Sequence, residues 1–225
     1  RQLCERAGRP ALVVADPRRD TAAAASLVYG HPGGQLATVG VTGTNGKTSV
    51  TTMIDQTLRA LGRATGVVGT SGTAYRDTAG RDHHVATVRT TPEAPELHGI
   101  LARMVEDGVQ NVSMEISSHA LVLHRADGVV LDVACFTNLS QDHLDFHADM
   151  EDYYRAKRSL LTPAHARRAV VCVDGDWGRR LAREAEVPVV TYSTDPAAGA
   201  DHTARDLRVD GYGTVFTADG PHGSR

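Results

Sequence analysis

The stretch that decides the fold is Val39-Gly40-Val41-Thr42-Gly43-Thr44-Asn45-Gly46-Lys47-Thr48. The apolar residues 36–41 predict a strand that enters it, and residues 48–61 carry apolar side chains at helical spacing after it. A glycine-rich loop between a strand and a helix is the setting of a phosphate-binding P-loop. Glycines allow positive φ angles there, so backbone N–H groups and the helix N-terminus can face an anion.

Side chains of this loop have predicted roles in binding a nucleotide. We expect Lys47 to place its ammonium at the β- and γ-phosphates and the Thr48 hydroxyl to ligate Mg²⁺. The strict P-loop spacing would require glycine at Val41, so the loop is a variant that has Gly40 and Gly43 instead. The alternative is a glycine-rich turn with a chance Lys-Thr pair, and the flanking strand and helix argue against it. The predicted ATP-binding residues are Gly43, Thr44, Asn45, Gly46, Lys47 and Thr48.

Strand and helix patterns alternate along the rest of the chain. Strands are predicted at 64–69, 111–116, 129–136, 168–173 and 187–192, and helices at about 91–107, 150–161 and 177–185. Residues 71–82 look like a loop or hairpin tip, residues 83–89 could form a strand, and Thr91 is the expected N-cap of the helix that follows. This alternation predicts an α/β fold: a P-loop-type, mostly parallel sheet with helices on both faces. Residues 207–218 predict a C-terminal antiparallel hairpin.

Composition excludes several classes of function. The chain has 24 basic and 27 acidic residues, a net charge of -3 and only 4% aromatic residues, which argues against nucleic-acid binding. The cysteines are odd in number and lack a CxxC pair, and no apolar stretch is long enough to span a membrane. We therefore expect a cytoplasmic protein with reduced cysteines and without membrane insertion.

Only two of the basic residues are lysines, Lys47 and Lys157. Lys157 could be a solvated surface amine. If it is partly buried, however, its neutral amine is nucleophilic and can take up CO₂ to become a carbamate, which arginine cannot do. Glu115 ends an apolar strand, where a carboxylate is either solvated or, beside a P-loop, a ligand of Mg²⁺. The polar segment 137–147 follows the next strand and contains two histidines, which alone are more often structural than ligands.

Four motifs follow one another along the chain: TGTNGKT (42–48), TTPE (90–93), MEISSHAL (114–121) and TNLSQDHLDFH (137–147). In this order they resemble the Mur ligases, and the resemblance covers nearly all of residues 11–195. The variant loop also occurs in folylpolyglutamate synthase and cyanophycin synthetase, whereas the second and third motifs indicate members that add the third residue of the cell-wall peptide.

The resemblance implies a domain organisation and a set of site residues. Residues 1–34 would be a remnant of an N-terminal UDP-binding domain and residues 35–225 an incomplete central ATP-binding domain, with the C-terminal amino-acid-binding domain absent. Lys47 would bind phosphate, Thr48 and Glu115 one Mg²⁺, and His143 a second Mg²⁺ supported by Lys157 as its carbamate. Leu123 stands where many relatives carry Gln, at a substrate contact. The residues implied to bind the muramoyl-peptide are Thr90, Thr91, Ser117 and Arg125.

The reaction implied by the resemblance is an ATP- and Mg²⁺-dependent amide ligation in peptidoglycan synthesis. The carboxylate of UDP-MurNAc-L-Ala-D-Glu would attack ATP to give an acyl phosphate, which the amine of meso-diaminopimelate or L-lysine then attacks. Diaminopimelate is the favoured third residue, and we expect a monomer. The alternatives are a related ligase acting on folate or poly-amino-acid substrates, and a nucleotide-binding fragment without ligase activity.

Overall fold

The computed structural model describes residues 6, 8 and 11–224, and its helices and strands alternate as the sequence predicts. The helices are α1 (Pro17–Val28), α2 (Lys47–Ala60), α3 (Ala94–Glu106), α4 (Ser118–Val122), α5 (Met150–Arg158) and α6 (Asp176–Glu184). Short 3₁₀ turns occupy Pro32–Gln35, Ser159–Leu161 and Pro196–Ala198. The strands are β1 (Ala37–Thr42), β2 (Thr65–Gly69), β3 (Gly72–Arg76), β4 (Asp82–Val85), β5 (Asn111–Glu115), β6 (Val133–Phe136), β7 (Ala169–Cys172), β8 (Val189–Ser193), β9 (His202–Asp210), β10 (Gly213–Gly220) and β11 (Gly223–Ser224).

All of these strands form one sheet in the order β11-β10-β9-β8-β7-β6-β1-β5-β2-β3-β4. The seven strands from β9 to β2 pair in parallel, and antiparallel strands extend the sheet at both ends. The predicted α/β fold and its C-terminal hairpin are confirmed. The P-loop strand β1 lies between β5 and β6, so the predicted site residues at the end of β5 and after β1 and β6 lie on the same edge of the sheet.

Helices cover both faces of the sheet, as β5 demonstrates. Val112 and Met114 belong to the buried core that also contains Leu97, Leu101 and Met104 of α3. The side chain between them points the other way, because the Ser113 hydroxyl donates to the Thr51 carbonyl of α2 at 3.0 Å. Since side chains alternate along a strand, α2 and α3 lie on opposite faces of the sheet.

Side-chain caps fix the starts of three helices. Asp16 accepts the backbone N–H groups of Arg18 and Arg19 at the start of α1, and Asp149 accepts that of Asp152 at the start of α5. The Ser117 hydroxyl accepts the N–H of Ala120 and begins α4 directly after β5. These bonds satisfy N–H groups that the first turn of a helix leaves unpaired.

Several expected element boundaries were wrong. Helix α3 begins at Ala94, with Glu93 rather than Thr91 at the N-cap. Thr91 does not cap the helix because its buried hydroxyl donates instead to the Glu115 carbonyl at 2.8 Å. Residues 71–82, expected to form a loop or hairpin tip, contain all of β3 and the start of β4. The strand expected at 83–89 ends at Val85, and the strand expected at 129–136 begins only at Val133.

The segment before the predicted boundary at residue 34 packs on the rest of the chain. Helix α1 lies against α3, and the Ser26 hydroxyl donates to the Gly128 carbonyl at 3.3 Å. The part of the expected N-terminal remnant at residues 1–5, 7, 9 and 10 lies outside the described residues. Across the described part of the chain, no helix is both long and apolar enough to cross a membrane.

Candidate nucleotide and substrate site

The segment that follows β6 forms hydrogen bonds that fix the conformation of the P-loop. Gly43 and Gly46 have φ angles of +146° and +85°, which suit glycine. Asn138 accepts the N–H of Thr44 through its carbonyl and the N–H of Asn45 through its side chain, both at 3.0 Å. The Thr137 hydroxyl donates to the Asn45 carbonyl at 2.6 Å. The loop conformation is therefore imposed by its neighbour on the adjacent strand as well as by its glycines.

Lys47 lies across the loop at the start of α2. Its Nζ donates to the carbonyls of Gly43 at 2.9 Å and Thr44 at 2.8 Å. Burial lowers the pKa of this amine, against the opposing effect of the Glu115 and Asp142 carboxylates. The ammonium is thus held at the point where a loop of this shape receives phosphate oxygens.

Glu115 and Thr48 present adjacent oxygen atoms beside the loop. The Thr48 hydroxyl donates to Glu115 Oε1 at 2.9 Å, and Thr70 donates to both carboxylate oxygens, through its N–H at 2.9 Å and its hydroxyl at 3.1 Å. The carboxylate packs against Gly69, where a Cβ would overlap it. Glu115 is 1% exposed, so this site is preformed.

This pair of oxygen donors fits Mg²⁺. Magnesium prefers hard oxygen ligands and commonly uses one or two protein groups together with nucleotide phosphates and water. Among residues 6, 8 and 11–224, no cluster of three or more His, Cys, Asp or Glu could hold a metal by itself. Thr48 and Glu115 are therefore the residues that would hold a phosphate-bound Mg²⁺.

Lys157 is buried beside the same loop. It is 1% exposed, and its Nζ donates to the Gly43 carbonyl at 3.0 Å and lies 4.6 Å from the centre of the Tyr153 ring. Burial is the main cause that lowers the pKa of this amine to about 7, and the nearby Lys47 charge lowers it further. The sequence alternative of a solvated surface amine is wrong, and a substantial fraction of the amine is neutral near pH 7.

His143 lies in a cluster of aromatic and imidazole rings at the cavity wall. Its ring is 5.0 Å from that of His119 and 6.0 Å from that of Tyr153, measured between centres. His119 stacks on Phe146 at 4.0 Å. Burial, followed by the neighbouring imidazoles, lowers the pKa of His119, so its ring is mainly neutral near pH 7. His143 adopts a left-handed φ of +53° and remains partly exposed.

Of the four residues predicted to bind the muramoyl-peptide, Thr91 and Ser117 lie at the end of β5, and Thr90, Ser117 and Arg125 line the cavity. Thr91 accepts the N–H of Ser117 at 3.2 Å, and the Thr90 hydroxyl lies 3.0 Å from that of Thr70. Arg125 is 11% exposed, and its Nε is 3.1 Å from Glu93 Oε1, an ion pair outside hydrogen-bond geometry. Thr91 is itself buried and supports the backbone around Ser117.

One cavity of about 540 Å³ joins these groups. It brings the P-loop, Glu115 and both lysines together with three of the predicted peptide-binding residues, whereas Gly43 and Thr91 do not line it. Sequence analysis missed Thr70, Arg89 and His119, which also line it. Thr70 follows β2 and Asn138 follows β6, and the carboxyl ends of parallel strands are a signal that could have indicated both. The lining residues are Thr44, Asn45, Gly46, Lys47, Thr48, Thr70, Val88, Arg89, Thr90, Glu115, Ser117, Ser118, His119, Arg125, His143 and Lys157.

Comparison with known proteins identifies the family of the chain. A family model described as the Mur ligase middle domain matches residues 41–223. The chain belongs to the Mur ligase family. The matched residues of this Mur ligase contain the P-loop, Glu115, Arg125 and Lys157.

Two curated relatives show how similar this chain is to longer members of the family. A UDP-N-acetylmuramoyl-L-alanyl-D-glutamate--2,6-diaminopimelate ligase of Streptomyces coelicolor is 47% identical over 219 residues, which are 97% of this chain and 42% of the relative. A UDP-N-acetylmuramyl-tripeptide synthetase of Leifsonia xyli subsp. xyli is 43% identical over 221 residues, 98% of this chain and 42% of the relative. The chain thus spans about two fifths of the length of these relatives.

Solved structures share the fold of this Mur ligase. A UDP-N-acetylmuramoyl-L-alanyl-D-glutamate--2,6-diaminopimelate ligase superposes with a TM-score of 0.78 and 26% identity, covering 95% of this chain and 44% of that one. A folylpolyglutamate synthase of Mycobacterium tuberculosis, complexed with ADP and AMPPCP, superposes with a TM-score of 0.68 over 92% of this chain and 53% of that one. At 17% identity the second similarity concerns the fold alone.

Proposed function

We propose that this chain supplies the ATP site and the acceptor site of a ligase that adds the third amino acid to UDP-MurNAc-L-Ala-D-Glu. The observation that carries the proposal is one cavity that is lined by a P-loop lysine, a Thr–Glu oxygen pair and an arginine. Such a cavity can bring the γ-phosphate of a nucleotide and a carboxylate acceptor together. The enzyme would work in the cytoplasm, where we expect its nucleotide-linked substrate.

The chemistry proposed for this site is carboxylate activation. An oxygen of the terminal D-Glu carboxylate attacks the γ-phosphorus, the bond to the β-phosphate oxygen breaks, and ADP leaves. The amine of the incoming amino acid then attacks the acyl carbon of the resulting acyl phosphate, loses a proton, and displaces inorganic phosphate as the amide forms.

Residues on the phosphate side of the cavity reduce repulsion between the two reacting anions. Lys47, released from the Gly43 and Thr44 carbonyls, would donate to phosphate oxygens as negative charge shifts towards the leaving group. Mg²⁺ held by Thr48 and Glu115 would supply further positive charge to the phosphates. Thr70 keeps the Glu115 carboxylate in place.

Residues on the acceptor side would orient the muramoyl-peptide. Arg125 offers a guanidinium to an anionic group of the substrate, and Thr90 and Ser117 offer polar atoms at the same wall of the cavity. We propose that His143, with Lys157 as its carbamate, holds a second Mg²⁺. Burial of Lys157 and its lowered pKa support that assignment, because only the neutral amine reacts with CO₂.

The experiment that tests the proposal is Lys47→Ala. In the 225-residue chain, we expect the substitution to weaken Mg²⁺-ADP binding about a hundredfold, because it removes a charge-assisted contact to phosphate. Isothermal titration calorimetry measures the affinity. In a full-length ligase that contains this chain, phosphate release should be abolished. Arg63→Ala is the matched control, since it removes an exposed cation just beyond the same helix. Turnover of Lys47→Ala within tenfold of wild type would contradict the assignment.

We further propose meso-diaminopimelate as the added amino acid, because the Streptomyces relative is named for that substrate. A substrate panel on a full-length ligase containing this chain tests it: meso-diaminopimelate should be incorporated and L-lysine should not. Incorporation into folate-linked acceptors would instead support the related folylpolyglutamate activity.

A further inference from the structure

Glu93 stands at the N-cap of α3 but does not cap the helix. Its carbonyl accepts the N–H of Leu97 at 2.9 Å, whereas its carboxylate makes no capping bond to the first turn. N-cap side chains are usually short polar groups that accept those N–H groups. The Glu93 carboxylate is therefore available for another contact.

Three arginines converge on that carboxylate from three parts of the chain. Arg125 Nε lies 3.1 Å and Arg89 Nε 3.5 Å from Glu93 Oε1, and Arg18 of α1 lies 3.7 Å from Oε2. One negative charge thus faces three positive charges. The cluster can accept another anion with a gain in electrostatic energy.

Arg125 differs from the other two arginines in its surroundings. Its side chain is 11% exposed, against 50% for Arg89 and 56% for Arg18. Its Nε atom faces the Glu93 carboxylate and is buried. Within the described residues, neither terminal nitrogen of Arg125 donates a hydrogen bond, and the residue lines the cavity. A guanidinium that forms an ion pair at one edge can offer its other edge to a carboxylate.

We propose that Glu93 is a positioning residue for the acceptor substrate: it holds the Nε edge of Arg125 so that the terminal nitrogens receive an anionic group in the cavity. This inference rests on the function proposed above. Glu93 acts through Arg125 and does not itself touch the substrate, because a carboxylate would repel the anion that Arg125 binds. The arrangement favours acceptors with an anionic group over neutral ones.

A double-mutant cycle in a full-length ligase containing this chain tests the proposal. The probe is UDP-MurNAc-L-Ala-D-Glu, and calorimetry measures its dissociation constant for wild type, Glu93→Gln, Arg125→Ala and the double variant. We expect Arg125→Ala to weaken binding about thirtyfold and Glu93→Gln about fivefold. Because Glu93 acts through Arg125, Glu93→Gln should have no further effect once Arg125 is absent.

Control variants separate positioning from a general effect on charge or folding. Glu96→Gln removes an exposed charge from the first turn of the same helix and should leave binding unchanged. The Mg²⁺-ADP affinity of Glu93→Gln should equal that of wild type, and the variant should be fully folded at the temperature of the titration. If the two substitutions are additive, or if Glu93→Gln binds as tightly as wild type, the positioning role is wrong while the proposed function stands. If the wild type does not bind the probe at all, the proposed function fails and the inference fails with it.

Discussion

Two lysine side chains converge on one backbone carbonyl. Lys47 and Lys157 both donate to the Gly43 carbonyl, at 2.9 and 3.0 Å. Burial lowers the pKa of each amine, and the charge of Lys47 further lowers that of Lys157. The protein thus keeps one cation for the phosphates and one amine that is partly neutral near pH 7. Arginine suits neither role: the phosphate role uses the compact ammonium of a lysine, and a guanidinium does not lose its proton to give a neutral amine in this range.

The lowered pKa of Lys157 predicts how the free energy of unfolding depends on pH. The amine titrates near 7 in the folded chain and near 10.5 when unfolded, so the unfolded chain binds more protons between those values. The contribution of Lys157 to stability is therefore least favourable below pH 7 and rises from pH 7 to about 10.5, by up to about 1.4 kcal/mol per pH unit.

Urea denaturation of the 225-residue chain in CO₂-free buffer measures this dependence. Lys157→Met should remove the rise, so that its stability relative to wild type falls as the pH increases. Arg155→Met is the matched control, because it removes an exposed guanidinium from the same helix. A constant difference between wild type and Lys157→Met from pH 7 to 10 would show that the buried amine keeps its ordinary pKa.

The proposed carbamate at Lys157 predicts chemical rescue. In a full-length ligase containing this chain, Lys157→Ala should be inactive, and a short-chain carboxylic acid should restore part of the phosphate release by supplying the missing oxygens. Lys157→Arg should stay inactive, because a guanidinium does not take up CO₂. The same acid should do nothing for Lys47→Ala. Full activity of Lys157→Arg would count directly against a carbamate.

The P-loop, as an element, depends on backbone conformation and on the strand beside it. Gly43→Ala would impose a side chain at a φ of +146° and drive its Cβ into the Thr137 hydroxyl. We expect a loss of about 2–4 kcal/mol in the free energy of unfolding and at least tenfold weaker Mg²⁺-ADP binding. Gly62→Ala is the control. Its φ is +73°, but nothing lies within 4 Å of the added Cβ, so we expect the free energy of unfolding to fall by only about 1 kcal/mol. Equal losses in the two variants, measured by urea denaturation, would exclude the overlap as a cause.

Elements with a strong local pattern could be predicted from the sequence. The strand β1 and helix α2 fall within one residue of their expected bounds, because apolar spacing and glycines act locally. The start of α3 could not be predicted in this way. Thr91 satisfies the local rules of an N-cap, yet its hydroxyl bonds to Glu115, 24 residues away, so the helix starts later. A long-range hydrogen bond overrode a local preference.

Some residues of the candidate site could likewise be identified from the sequence, and others could not. Lys47, Thr48 and Lys157 stand out in the sequence because their residue types are chemically specific for the expected roles. Thr70 and Glu93 do not stand out, since a threonine after a strand and a glutamate before a helix are common. The contact of Thr70 with Glu115 and that of Glu93 with Arg125 join segments that are distant in the sequence.

At the scale of the whole molecule, stability is concentrated in the centre of the sheet. The strands β1 and β5 have parallel partners on both sides and carry buried side chains. The C-terminal hairpin joins the sheet through two paired positions, Tyr192 with His202 and Ser193 with Thr203, and residues 206–216 are exposed. The far end of the hairpin therefore has few contacts that would oppose local opening.

Hydrogen exchange of the 225-residue chain should reveal this gradient. Amides of β1 and β5 should exchange only on global unfolding, whereas those of residues 206–216 should exchange at least about a hundredfold faster through local opening. The other antiparallel edge provides an internal control: Thr73 and Tyr75 of β3 are each 2% exposed, so β3 should be protected more strongly than β10. If residues 206–216 were as protected as β1, the hairpin would unfold together with the parallel core, and buried contacts within the central strands would not determine the order of opening.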